Sequence, residues 1–290
     1  MKEQTFEEYL YSNRYTKNTV NIYVYTVNIF LNENPEAAIY KYKDVLRYMS
    51  EIVKRYKQSD TKSRVLSSIK KYYDYLLEIG KRKDHPCRTL IVKCRRNKEV
   101  IHEDLFTSSE LELLLEREEY NETYKLKNQA IMSLLIFQGL TAAEIANMKV
   151  SHIDLDAGTI FVKESRTITQ RHLDIHPRQY RILDRYLHEV RPVLMTQPSD
   201  MLCITQRGTP ITMEGIKYLV ETFKPLFPDR NLNTKTIRYS VIANWMNEKG
   251  MPLEQVQLMA GHKWISTTAK YRFTPIHEQR ELINRFHPLG

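Results

Sequence analysis

The chain has 290 residues, 42% of them hydrophobic and 27% charged, with a formal net charge of +9. That length suits one large or two modest domains, each with its own core. No run of eighteen apolar residues occurs, which excludes a membrane-spanning helix. Three cysteines, Cys87, Cys94 and Cys203, exclude a disulfide framework and point to reduced thiols and a cytoplasmic location.

The opening run MKEQTFEEYLY carries acids where a signal peptide carries a basic stretch and an apolar core, so no signal peptide is expected. Apolar residues then recur at helical spacing over Thr16 to Leu31, Tyr42 to Val53, and Val65 through Leu77. Gly80 stands where a C-terminal cap belongs, and Asn34-Pro35 and Gln58-Ser59-Asp60 break the helices apart. Residues 1–80 therefore predict a small four-helix domain, whose many tyrosines read as packing ahead of base-stacking platforms.

Residues 81–104 predict a basic linker, for between Lys81 and Lys98 eight Lys/Arg face one acid, Asp84. Such a run is either a solvated hinge or a segment that tracks a phosphate backbone and releases counterions. On the second reading Lys81, Arg82, Lys83, Arg95, Arg96 and Lys98 bind DNA.

Beyond the linker, Thr107 to Glu110 has the capping-box pattern that opens a helix. Gln129 to Phe137 reads as a buried helix ending at Gly139, and another helix runs from Thr141 to Met148. β-Branched residues between Gly158 and Ile175 predict a short antiparallel hairpin or small sheet. Helices resume over Arg178–Val190, Thr212–Phe223, Thr234–Lys249 and Leu253–Met259. The expected fold is mainly α: a helical N-terminal domain and a mixed α/β domain, mostly helical with a small antiparallel sheet.

Chemistry concentrates near the C-terminus. Lys235 and Arg238 lie one helical turn apart, His262 follows Arg238 by 24 residues, and Tyr271 follows His262 by nine. Two cations, an imidazole and a phenol suffice for direct attack on a phosphodiester. The tyrosine attacks phosphorus, the cations neutralise the non-bridging oxygens, and the histidine stabilises or protonates the departing oxygen. No metal or other cofactor is needed. The remaining histidines, His172 and His176 among them, form no ligand pattern with a second pair.

With these residues, and with Gly139-Leu140, Glu144-Ile145 and the hairpin after His152-Ile153-Asp154, the whole chain resembles the tyrosine recombinase, or phage integrase-like, family. The resemblance implies a core-binding domain over 1–80, a catalytic domain over 105–275 and a tail helix over 276–290. It implies duplex DNA clamped between two domains, a homo-tetrameric synapse, and cleavage through a 3′-phosphotyrosyl bond, as expected of a mobile element's integrase. A DNA-binding accessory factor of the same fold without cleavage is the alternative, and topoisomerase IB-like relaxation is a third reading.

The family's catalytic set maps onto Arg238, His262 and Tyr271 directly, with Lys235 where histidine is commoner. Two positions depart from the pattern. Ungapped comparison puts Ser165 at the place of the hairpin lysine; Lys163, two residues earlier on the same strand face, is the candidate in its stead. Thr141 stands where the family's first arginine belongs. Loss of one preorganised donor commonly costs about 3 kcal/mol of transition-state stabilisation. Either another cation, Arg166 or Arg171, compensates, or cleavage is slowed or lost. All three hairpin cations can equally be ordinary sheet-face charges.

Overall fold

The computed structural model describes residues 4–92 and 105–272, in two compact units. The basic residues Arg95, Arg96 and Lys98 and the tail over 276–290 lie outside the described residues.

The first unit holds α1 (Phe6–Ser12), α2 (Lys17–Glu33), α3 (Tyr42–Arg55) and α4 (Ser59–Glu78). Thr5 opens α1 with a capping box to Glu8, and the Thr16 hydroxyl accepts from the N–H of Thr19 at the start of α2. Phe30, Ile52, Ile69 and Tyr73 are fully buried at the centre. The Tyr73 hydroxyl donates to the carbonyl of Ala37 at 2.8 Å, which satisfies its one polar atom inside the core. Tyr9, Tyr48 and Tyr72 are buried as well, so these tyrosines pack.

The described part of the basic segment is anchored to this unit. Cys87 and Leu90 join its core, and Arg82 donates to the carbonyls of Ala38 and Tyr40 at 2.7 and 2.9 Å. Arg82 also grips the Asp84 carboxylate at 3.0 Å. Its guanidinium thus has a structural use, while Lys81 and Lys83 are exposed.

In the second unit α5 (Ser108–Glu112) begins at the Thr107–Glu110 capping box, followed by α6 (Glu122–Ile136) and the five-residue α7 (Ala142–Ala146). Three antiparallel strands follow in the order β1 (Ile153–Asp154), β2 (Thr159–Val162), β3 (Arg171–Asp174). Val162 pairs with Arg171 and Ile160 with Leu173, and all four face inward. Phe161 and His172 pair on the other face, with ring centroids 5.1 Å apart. The helix after the sheet is not uniform. It runs as α8 (Pro177–Arg185), a π-helical turn (Tyr186–Val190) and α9 (Arg191–Leu194). The Tyr186 hydroxyl, buried inside that turn, donates to the Leu202 carbonyl at 2.9 Å.

The last four helices among the described residues are α10 (Met213–Glu221), α11 (Thr234–Asn247), α12 (Leu253–Ala260) and α13 (Ile265–Ala269). The core helices α6 and α11 are buried on every side over Ala130–Ile136 and Ser240–Trp245, enclosed by the other helices of the unit. The chain entering this unit is tied to α11: Phe106 N–H donates to Ser240 Oγ at 2.8 Å, and Asn244 donates to the Phe106 carbonyl at 3.0 Å.

Gly139 joins α6 to α7 with φ +59°, and a Cβ there would lie 3.1 Å from Val241 Cγ1 on α11. Both the left-handed backbone and the close approach require glycine. Gly139→Ala should cost about 1–2 kcal/mol from backbone strain alone. Urea unfolding checks this; an unchanged midpoint contradicts the account of the turn.

Candidate active site

Asn233 caps α11, its side-chain carbonyl accepting from the N–H groups of Lys235 and Thr236 at 2.9 and 3.0 Å. That start places Lys235 in the first turn, exposed, with its ammonium 5.2 Å from the centre of the Tyr239 ring. One turn on, Arg238 is only 7% exposed. Its guanidinium donates to the Gly139 carbonyl at 2.5 Å and the Ala260 carbonyl at 2.7 Å. The tight Gly139 turn and the end of α12 thereby hold the arginine from two sides.

Behind Arg238 sits Glu144, on α7. Thr141 is the N-cap of that helix: its hydroxyl accepts from Glu144 N–H, while its own N–H and hydroxyl donate to Glu144 Oε2 at 2.7 and 2.8 Å. The other carboxylate oxygen accepts from Arg171 Nη1 at 2.8 Å, and Arg238 Nη1 stands 3.8 Å from Oε2. Burial alone raises a carboxyl pKa, but Arg171 and Arg238 outweigh it and hold Glu144 below its ordinary value. Glu144 therefore stays ionised between two guanidinium groups. One acid against two arginines leaves the cluster net positive.

Arg171 enters from β3, facing inward with Val162. Its Nε donates to the Met259 carbonyl at 2.7 Å, and its Nη2 is buried without a hydrogen-bond partner among the described residues. Gly261 makes room for it, since a Cβ there would lie 2.6 Å from Arg171 Nη1. The same turn is stitched to the hairpin loop by Thr169 N–H donating to the Gly261 carbonyl at 3.0 Å.

His262 follows that glycine. Its Nδ1 lies 2.9 Å from the Thr268 hydroxyl, and its ring stacks on Tyr271 at 5.9 Å between centroids and 15° between planes. Burial first, then the charges of Arg238 and Arg171, push its pKa down to about 4. The imidazole is therefore neutral at physiological pH and acts as a polar hydrogen-bonding group. Tyr271 is buried and packs edge-on against Tyr239 at 5.2 Å. Burial and Tyr239 raise the phenol's pKa, against the pull of Arg238. As a nucleophile it would have to lose its proton as the attack proceeds, with positive charge close by.

The structure thus brings Lys235, Arg238, His262 and Tyr271 together, with Arg171 joined through Glu144. It does not bring Lys163 or Arg166 to the cluster. Both are exposed on the segment between β2 and β3. Lys163 continues the outer face of β2, where it adds to burial and Lys149 in lowering the pKa of His152. Sequence reasoning passed over Glu144, Tyr239 and Thr268 as site residues. The signal for Glu144 was present as Thr141-x-x-Glu144, the same capping pattern recognised at Thr107.

Comparison with known proteins identifies the family. The family model described as "Phage integrase family" matches residues 104–275, and that for the "Phage integrase, N-terminal SAM-like domain" matches residues 4–80. The chain belongs to the phage integrase family, and its class is that of a tyrosine-type site-specific DNA recombinase. Tyrosine recombinase XerC of Anoxybacillus flavithermus is 25% identical over 98% of this chain and 96% of its own length. The Staphylococcus aureus XerC of strain bovine RF122 / ET3-1 is 24% identical over 90% of this chain and 86% of its own length. Among solved structures, a XerH recombinase bound to a palindromic difH substrate covers 91% of this chain and 79% of its own, with TM-score 0.73 at 15% identity. A lambda integrase dimer bound to a COC′ core site covers 92% of this chain and 93% of its own, with TM-score 0.70 at 14% identity. These two share the fold.

The displaced histidine titration has a readable consequence. In the unfolded chain His262 takes its proton near 6.5, but in the folded protein only near 4. Stability contributed by neutral His262 is whole above 6.5 and is lost as pH falls toward 4, because the unfolded state binds the proton first. NMR titration should place His262 near 4, and Arg171→Met should raise that value. A midpoint near 6.5 in the parent protein contradicts the buried, cation-flanked site.

Proposed function

We propose that this recombinase cuts and rejoins duplex DNA through a 3′-phosphotyrosyl intermediate on Tyr271. The phenolic oxygen attacks phosphorus, the bond to the 5′-oxygen breaks, and that oxygen leaves with a proton. The strand is rejoined when a 5′-hydroxyl attacks the phosphotyrosine and the phenol takes its proton back. Bond energy is conserved throughout, so no nucleotide cofactor enters. The observation that carries the reading is the stack of Tyr271 on His262 beside Arg238, with Lys235 reaching the same tyrosine pair.

In this reading Arg238 and Lys235 neutralise the non-bridging oxygens and His262 donates a hydrogen bond to the reacting phosphate. Arg171 supplies, from behind Glu144, part of the positive potential that Thr141 does not. Lys163 and Arg166, exposed on the hairpin, meet the backbone only when duplex is bound. Lys81, Lys83, Arg95, Arg96 and Lys98 add phosphate contacts that set affinity and not sequence preference. The setting we assign is the integration or excision of a mobile element, supported by the family match alone. A second reading, DNA binding without cleavage, is favoured by one observation: Thr141 is committed to capping α7 and brings no charge.

A nicked duplex that traps the cleaved strand separates the two readings. Covalent complex should form with the parent chain, vanish in Tyr271→Phe and fall by at least about a hundredfold in Arg238→Ala. Binding of DNA by Tyr271→Phe should remain near the parent level, because affinity rests on phosphate contacts. If the Phe variant still forms the adduct, the assignment of Tyr271 fails; if the parent forms none, the non-cleaving reading stands.

Four protomers on two DNA sites complete the proposal, with residues 276–290 docking on a neighbour. Ile276, Leu282, Ile283 and Phe286 fall as an apolar stripe if that segment is helical, and a tail passed round a ring closes it cyclically. Deleting 276–290 should preserve single-site binding but abolish synapsis and two-site recombination, read by light scattering with DNA and a plasmid assay. Full recombination by the shortened chain refutes the exchange.

A further inference from the structure

Thr268 touches both ends of the reacting pair. It lies on α13, is fully buried, and its hydroxyl is 2.9 Å from His262 Nδ1. Its backbone carbonyl accepts the N–H of Tyr271 at 3.0 Å. One residue therefore holds the imidazole through its side chain and the backbone of Tyr271 through its main chain.

The hydroxyl also bears on which ring nitrogen carries the proton. A hydroxyl has one hydrogen to give and lone pairs to receive. Among the described residues His262 Nδ1 is the one side-chain hydrogen-bond partner of the Thr268 hydroxyl. If Nδ1 carried the hydrogen, it would donate to Oγ1 and the Thr268 hydrogen would be left buried without an acceptor. Such an orphan costs about 1–3 kcal/mol. With the roles reversed, Thr268 donates to Nδ1, both groups are satisfied, and the ring proton sits on Nε2. No partner for Nε2 occurs among the described residues.

We propose that Thr268 is a positioning residue that locks His262 as the Nε2–H tautomer, so that a neutral N–H, and not a lone pair, is presented to the scissile phosphate. The inference rests on the phosphotyrosyl reading for its purpose, but the tautomer itself does not depend on cleavage. It gives His262 the role of hydrogen-bond donor and removes it as a base toward Tyr271.

The test is ¹⁵N NMR of histidine-labelled full-length protein without DNA at neutral pH, with His262→Gln used to assign the resonance. The expected spectrum has Nδ1 pyridine-like and Nε2 pyrrole-like. Thr268→Val, which keeps the shape and removes the hydroxyl, should shift His262 toward a tautomer mixture. It should slow covalent-complex formation about tenfold, the worth of one such hydrogen bond, with DNA affinity unchanged. Thr268→Ser should restore both the spectrum and the rate. A pyrrole-like Nδ1 in the parent protein overturns the proposal even if the Val variant does not fold. So does a Ser variant as impaired as Val, which would make Thr268 a packing residue. If the parent forms no covalent complex but shows the Nε2–H spectrum, the tautomer assignment holds and the phosphotyrosyl reading is what fails.

Discussion

A buried carboxylate between two arginines is the constraint on which the rest of this site depends. Glu144 accepts from Arg171 at 2.8 Å, faces Arg238 at 3.8 Å and takes two further hydrogen bonds from Thr141. Through those contacts one residue links β3, α11 and α7, and Arg171 extends the chain to the end of α12 through Met259. Two guanidinium groups buried without Glu144 would repel each other and lack an acceptor, a situation that in other proteins costs about 3–5 kcal/mol. With Glu144 present their charge is held in place, oriented and partly unspent.

That residual charge adds to burial in setting the condition of His262 and Tyr271. Burial first, and then Arg238 and Arg171, hold His262 neutral with a pKa near 4, while Arg238 opposes the burial that raises the pKa of Tyr271. In the proposed reaction the same field would favour a phosphate, since an incoming dianionic phosphorane would meet cations already fixed and desolvated. Thr141 is part of this arrangement. Its hydroxyl and N–H orient Glu144, which in turn orients Arg171, so the position acts on the site through the carboxylate.

Much of the architecture was legible in the residues. The capping box at Thr107 and periodic apolar runs marked helices because both rules act over three or four residues. The four candidate groups, Lys235, Arg238, His262 and Tyr271, were picked out from spacing and resemblance, and the structure brings them near one another. What could not be read was long-range. Arg171 lies inward only because Val162 is its register partner on β2, which no local pattern states. Lys163 was chosen for being on the strand face expected of a catalytic lysine, yet that face is the outer one, beside Phe161. Helix α13 went unseen because Ile265–Ala269 is a single short turn with no side-chain cap, ordered by its neighbours. Arg82 read as a phosphate contact from composition, but the carbonyls that hold it come from Ala38 and Tyr40, more than forty residues away.

The central claim is that this charged cluster serves Tyr271 and no other of the chain's 19 tyrosines. Peptide mapping by mass spectrometry of protein trapped on a nicked duplex tests it most directly. The account predicts a nucleotide 3′-phosphate attached to Tyr271. Attachment at any other residue, or through a 5′-phosphate, would contradict it.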